Sequence, residues 1–151
     1  MKYTLDIEIN LPIKEVLKKF DSIENMKHWQ EGFVSFEPLN GTPGEVGSTA
    51  KLTYKMGKRE VVMVETITHK DLPSEFHGTY EADGVFNVQR NFFKTVNSDK
   101  TRWISESEFK FTSFMMKVFG LLMPGAFKKQ SYKFMTDFKA FAENGTSVAN
   151  A

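Results

Sequence analysis

Three histidines, His28, His69 and His77, are the only imidazoles in this 151-residue chain, and cysteine is absent. No two of them form an H-x-x-x-H or H-E-x-x-H pair, the spacing that sets two imidazoles on one helical face beside a metal. Without cysteine there can be no disulfide, thiolate metal site, iron–sulfur cluster or cysteine nucleophile. Nucleophile-elbow, P-loop and dinucleotide fingerprints are missing as well, and Gly41-Thr42-Pro43-Gly44 reads as hairpin geometry. The residue types therefore predict no metal ligand and no cofactor. Surface or end-cap roles are expected for the histidines.

The groups left with chemical potential are Tyr80, Glu65 and Arg90. In a strand, alternate residues share a face, so Val61, Met63, Glu65 and Ile67 go together, as do Phe86, Val88, Arg90 and Phe92. If these sets face inward, Glu65 and Arg90 become buried charges that must pair with each other or with a polar ligand head. In the opposite phase both are solvated. Either face is apolar enough to be inside, so both phases stay open. Phe76, Gly78 and Tyr80 share a third face, which would set a phenol in an apolar wall. Such a phenol can donate a proton to a substrate or simply orient a ligand.

The elements that must position these groups can be read from period and punctuation. Residues 3–10 alternate apolar and polar, as a half-buried strand does. Pro12 suits a first helical turn, and Ile13, Val16, Leu17 and Phe20 recur at helical spacing. A second short helix carries Ile23, Met26 and Trp29. From Phe33 to Thr112 the pattern is β, cut by Asn40-Gly41, Gly57-Lys58, Asp71-Leu72-Pro73, Asp83-Gly84 and Asn97-Ser98-Asp99. That implies an antiparallel meander of about six strands. In the last of them Arg102, Glu106, Glu108 and Lys110 belong to water, which turns Trp103, Ser105, Ser107, Phe109 and Phe111 inward. The closing helix spans Pro124 to Glu143, with Phe127, Ser131, Phe134, Phe138 and Phe141 on one stripe. Its length of about 30 Å is enough to cross a small sheet.

Composition bounds the class of function. Twenty Lys and Arg against nineteen Asp and Glu give no field to favour nucleic acid. The start shows no secretory signal and no apolar run spans a bilayer, so a cytoplasmic one-domain protein is expected. Fifteen Phe, four Tyr, two Trp and eight Met supply large rings and adaptable thioethers. They suit either a filled core or an apolar hollow with a small hydrophobic ligand as partner. The expected lining residues are Trp29, Tyr54, Met63, Phe76, Tyr80, Phe92, Trp103, Phe109, Phe127, Phe134 and Phe138. Phe114 to Met123 is too apolar for a loop. It reads as core packed over a sheet edge, with a mobile lid and a membrane or partner surface as alternatives.

The order of elements over residues 2–143 resembles the START-related, polyketide cyclase and lipid-transfer (SRPBCC) superfamily. The strand leading through Leu11-Pro12-Ile13-Lys14-Glu15-Val16 into a helix carries the resemblance. So do Met26-Lys27-His28-Trp29, Gly44-Glu45-Val46-Gly47, Asp71-Leu72-Pro73 and Asp99-Lys100-Thr101-Arg102. It implies an α+β helix-grip fold: a curved antiparallel sheet of about seven strands around a long C-terminal helix, with two short helices after strand 1. Residues 1–145 would form one ligand-binding domain and 146–151 a disordered tail. The resemblance also implies three functions to weigh: a hydrophobic-ligand binder, a cyclase/dehydratase-like enzyme using Tyr80, Glu65 and Arg90, or a co-chaperone-like interaction module with a closed cavity.

Overall fold

A computed structural model describes residues 1–150. Alternating polarity yields β1 (Lys2–Ile9), and the chain then turns through Leu11-Pro12 into α1 (Ile13–Phe20), whose Val16 and Leu17 are buried. The short α2 (Met26–Trp29) buries its two ends, Met26 and Trp29. Six strands follow: β2 (Phe33–Asn40), β3 (Thr49–Met56), β4 (Arg59–Asp71), β5 (Glu75–Ala82), β6 (Val85–Asn97) and β7 (Lys100–Phe111). The Asp83-Gly84 turn between β5 and β6 needs glycine, because Gly84 has φ 76° and a Cβ there would meet Ser113 Oγ at 2.4 Å. Two helices, α3 (Phe114–Leu122) and α4 (Gly125–Asn144), complete the fold. Gly145 stops α4 in the left-handed conformation.

All seven strands pair antiparallel in one sheet, in the order β1-β7-β6-β5-β4-β3-β2. Sequential hairpins explain every neighbour except β1, which closes on β7 with Ile7 opposite Trp103 and Ile9 opposite Thr101. Short antiparallel connections leave one face free for helices and the other for water, as the alternation of polarity requires.

α4 runs over β1 and against α2. Its inward residues Met135, Phe138 and Ala142 join Ile9, Val16, Leu17, Trp29, Phe93 and Trp103 in the principal core. Its C-terminal end is tied to β1: the Asn10 backbone N–H donates to Glu143 Oε2 at 2.9 Å, and Lys139 Nζ donates to the Glu8 carbonyl at 2.7 Å. A second, smaller core of Met26, Leu52 and Tyr54 lies under β2, β3 and β4.

One expectation is corrected. No residue of α3 is buried, so Phe114 to Met123 is not core packed over the sheet edge. Val148–Asn150 form a 3-10 turn against α2, and Ser147 Oγ lies 2.8 Å from His28 Nδ1. Ala151 lies outside the described residues.

Candidate functional site

Register across the concave face shows what lies between the two cores. One row runs Phe109, Asn87, Tyr80, Glu65, Ala50 from β7 to β3. The next runs Tyr3, Ser107, Gln89, Gly78, Ile67, and the one after it Leu5, Ser105, Asn91, Phe76. Asn87, Gln89 and Asn91 of β6 with Ser105 and Ser107 of β7 make these rows small and polar at their centre. They form a belt across the middle of the face. Its polar atoms are largely satisfied within the sheet: Gln89 Nε2 donates to Ser105 Oγ and accepts from Ser107 through Oε1, both at 3.3 Å, and Asn87 Nδ2 donates to the Glu108 carbonyl at 3.1 Å. Buried polar groups without such partners would be costly.

The β4–β5 end of the belt differs from the rest. Tyr80 and Glu65 are crowded by protein on all sides, yet both keep accessible surface, as does Met63 beside them. Gly78 is closely fitted beside them, since a Cβ there would lie 3.0 Å from the Thr66 carbonyl oxygen and 3.8 Å from the Tyr80 hydroxyl. Burial raises the Glu65 carboxyl above its ordinary range, and the neighbouring Tyr80 hydroxyl offsets this in part. Burial, followed by the Glu65 charge, pushes the Tyr80 phenol well up, so it stays a neutral donor. Tyr54 is shifted upward for the same two reasons, and its hydroxyl donates to Gln30 Oε1. At the other end, Tyr3 donates to the Phe127 carbonyl at 3.0 Å and shares a 2.6 Å bond with Ser131 Oγ. These bonds stitch β1 to α4. The arrangement can hold an apolar body over Met63 and present a phenol and a proton-accepting carboxyl to an oxygen group.

The expected site residues divide. Met63, Phe76, Tyr80, Phe109, Phe127 and Phe134 face inward and stay partly accessible, and Glu65 does the same. Trp29, Tyr54, Trp103 and Phe138 are buried in the two cores. Phe20 packs edge-on against Trp103 and Phe138 at 5.2 and 5.7 Å, leaving no room for a ligand between them. Trp29 keeps a buried Nε1 with no acceptor among the described residues.

Two expected residues face the other way. β6 turns Asn87, Gln89, Asn91 and Phe93 inward, so Arg90 is exposed on the convex side opposite Glu106 and cannot pair with Glu65. Phe92 is also outside, edge-on to His77 at 5.0 Å. The more polar face of β6 is the inner one because β7 offers it Ser105, Ser107 and Trp103 as partners. Trp103 Nε1, for example, donates to Asn91 Oδ1 at 2.9 Å. Sequence reasoning missed Asn87, Gln89, Asn91, Tyr3 and Ser131. The serines of β7 were the available signal, because small hydroxyls inside a sheet need polar neighbours.

A second ionisable cluster lies on the convex face. His69, Glu75 and His77 bring their ligand atoms within 4.8 Å of one another. The Asn91 backbone N–H donates to His77 Nδ1 at 3.1 Å, which places the proton on Nε2, facing Glu75 Oε1 at 3.5 Å. A metal at Nε2 would need that proton moved to Nδ1 and the Asn91 bond broken. The donor set thus fits a carboxylate held by two imidazoles better than it fits a cation. Two open grooves complete the surface, one of about 350 Å³ between α2, β2 and the chain end, the other of about 820 Å³ beside the α3–α4 junction. Neither lies over the belt.

No protein-family model and no curated protein matches this sequence. Solved structures match over nearly the whole chain. An aromatase/cyclase from a Streptomyces species superposes with TM-score 0.78 at 9% identity, covering 95% of this chain and 93% of its own. Ara h 8.0201 gives TM-score 0.70 at 13% identity, with 94% and 98% covered. A Thermus thermophilus protein gives 0.73 at 14%, with 97% and 100% covered. With its sheet order, its two short helices after β1 and its long closing helix, the chain shares the helix-grip fold of these structures.

Proposed function

We propose that the chain binds a small, mainly apolar molecule bearing an oxygen group, in the space between the β4–β5 half of the concave face and α4. The observation that carries this reading is the accessible surface on Met63, Glu65 and Tyr80, which are otherwise enclosed by protein. Ligand burial there supplies about 25 cal/mol per Å² of apolar surface before association costs. The Tyr80 hydroxyl then orients the oxygen group. Native mass spectrometry of the protein as purified, with displacement of an anilinonaphthalene dye, tests it. Met63→Trp, which puts an indole into the accessible space, is expected to weaken dye binding about tenfold or more, roughly 1.4 kcal/mol. A protein that carries nothing and takes up no dye overturns the reading.

Glu65 favours a second reading, catalysis in the same space on a poly-ketone substrate of the cyclase kind. A carboxyl held above its ordinary range beside a neutral phenol is a proton carrier paired with a donor. Arg90 has no part in it. Under this reading Glu65→Gln abolishes turnover while substrate binding survives. If turnover survives, catalysis by Glu65 is ruled out.

A further inference from the structure

The outward side of α3 leaves a run of large apolar side chains uncovered. Phe114, Met115 and Leu121 are each 80% exposed and Leu122 73%, with Val118 and Met123 exposed beside them. At 100° per residue Phe114, Val118, Leu121 and Leu122 lie on one convex side, while Met116 and Gly120 fall on the side toward the sheet. That inner side is closely fitted: a Cβ on Gly120 would meet the Phe111 ring at 2.7 Å, and Met116 Cγ lies against Gly84. The helix is seated, capped by Ser113 Oγ on the Met116 N–H at 3.2 Å, and presents its greasy side to solvent. Exposure on this scale marks an interaction surface.

Charge selects what covers it. From Phe109 to Thr136 the sequence has five lysines, Lys110, Lys117, Lys128, Lys129 and Lys133, and no Asp or Glu. Lys133 is engaged by Glu31 and Asp137, while the other four make no ion pair among the described residues. The groove of about 820 Å³ alongside repeats the theme, with Leu122, Met123 and Ala126 next to Lys129 and Lys133. A second copy of this face would set lysines against lysines with no acid to offset them. A protein partner would have to supply a groove shaped to a convex helix. A bilayer requires no such shape, and an anionic headgroup layer answers the lysines.

We propose that α3 docks the protein on an anionic membrane surface, with Phe114, Leu121 and Leu122 inserted at the headgroup–acyl boundary and Lys117, Lys128 and Lys129 against phosphates. Phe119 meets Phe127 edge-on at 5.7 Å, and Phe127 lies 4.7 Å from Phe109, so the docked helix adjoins the inward-facing aromatics. The proposal does not depend on the ligand reading, because it uses none of Met63, Glu65 or Tyr80.

Vesicle co-sedimentation decides it, with phosphatidylcholine alone against phosphatidylcholine plus phosphatidylglycerol. Binding is expected only with the anionic lipid and is expected to fall as salt rises. Leu121→Ser combined with Leu122→Ser should abolish it, and loss of Lys128 or Lys129 should weaken it about fivefold each. These side chains are exposed, so an unchanged thermal melt certifies folding. Leu121→Trp should shift its emission to the blue on anionic vesicles. Equal sedimentation with both vesicle types, full binding by the double serine variant, or an α3-dependent dimer in sedimentation equilibrium each overturns the proposal.

Discussion

The concave face is built in two ways. At the α1–α2 end, Phe20 is met edge-on by Phe76, Phe93, Trp103 and Phe138 at centroid distances between 5.0 and 5.9 Å. The indole Trp103 Nε1 there donates to Asn91 Oδ1. At the β3–β5 end, Met63, Glu65 and Tyr80 stay accessible and two of the three are ionisable. One sheet thus carries a closed aromatic end that contributes stability and an accessible end that costs some of it. Aromatic content alone does not mark a binding site, since Trp29, Phe93, Trp103 and Phe138 are all buried at the closed end.

The sharpest way to break this comparison is Phe138→Ala. The ring is fully buried between Phe20, Trp29 and Trp103, so the change is expected to remove about 3–5 kcal/mol of stability, read from urea unfolding. Dye affinity of the folded fraction should hardly move. A variant with near-normal stability and lost dye binding would exchange the roles of the two ends.

Most of the fold was legible because period and punctuation are local. The alternation at Tyr3 to Ile9, the turn residues at Asp83-Gly84 and the Phe stripe of α4 each identified an element. The inner face of β7 was legible too, since Arg102, Glu106, Glu108 and Lys110 could only face water. The site was less so. β6 has an apolar face (Phe86, Val88, Phe92) and a polar one (Asn87, Gln89, Asn91), and the polar one is inside because the partner strand satisfies it. That choice is made by register, which a single strand does not record. Glu65 was undecided for the same reason. For α3, apolarity suggested burial, but nothing local says whether a helix after the last strand finds a surface to cover it.

A smaller effect sharpens the comparison through pH. Burial raises the Glu65 carboxyl in the folded state, so between its unfolded and folded pKa values the native protein holds more protons than the unfolded chain. Stability from this group is full below the unfolded value and is lost as pH rises through the folded one. Wild-type stability is expected to decline across that window, and Glu65→Gln should remove the decline. Matched urea midpoints across pH, with equal slopes for the two proteins, would show that Glu65 is not enclosed in solution.

The smallest effect belongs to the convex face, where Glu75 shows the opposite sign. The hydrogen bond from the His69 side chain, 3.0 Å away, holds its carboxyl below the ordinary range. Its contribution is therefore present above the unfolded pKa and lost as pH falls through the folded one. Because the pair is exposed, Glu75→Gln should lower the melting temperature only slightly at neutral pH, with the gap closing in acid. Zinc provides the discriminating control. With Asn91 N–H occupying His77 Nδ1, the Nε2 proton stands where a metal would bind, so zinc is expected to leave the wild-type melt unchanged. A zinc-dependent rise that Glu75→Gln abolishes would mean that the Asn91 bond yields, and that the convex face, too, holds a ligand.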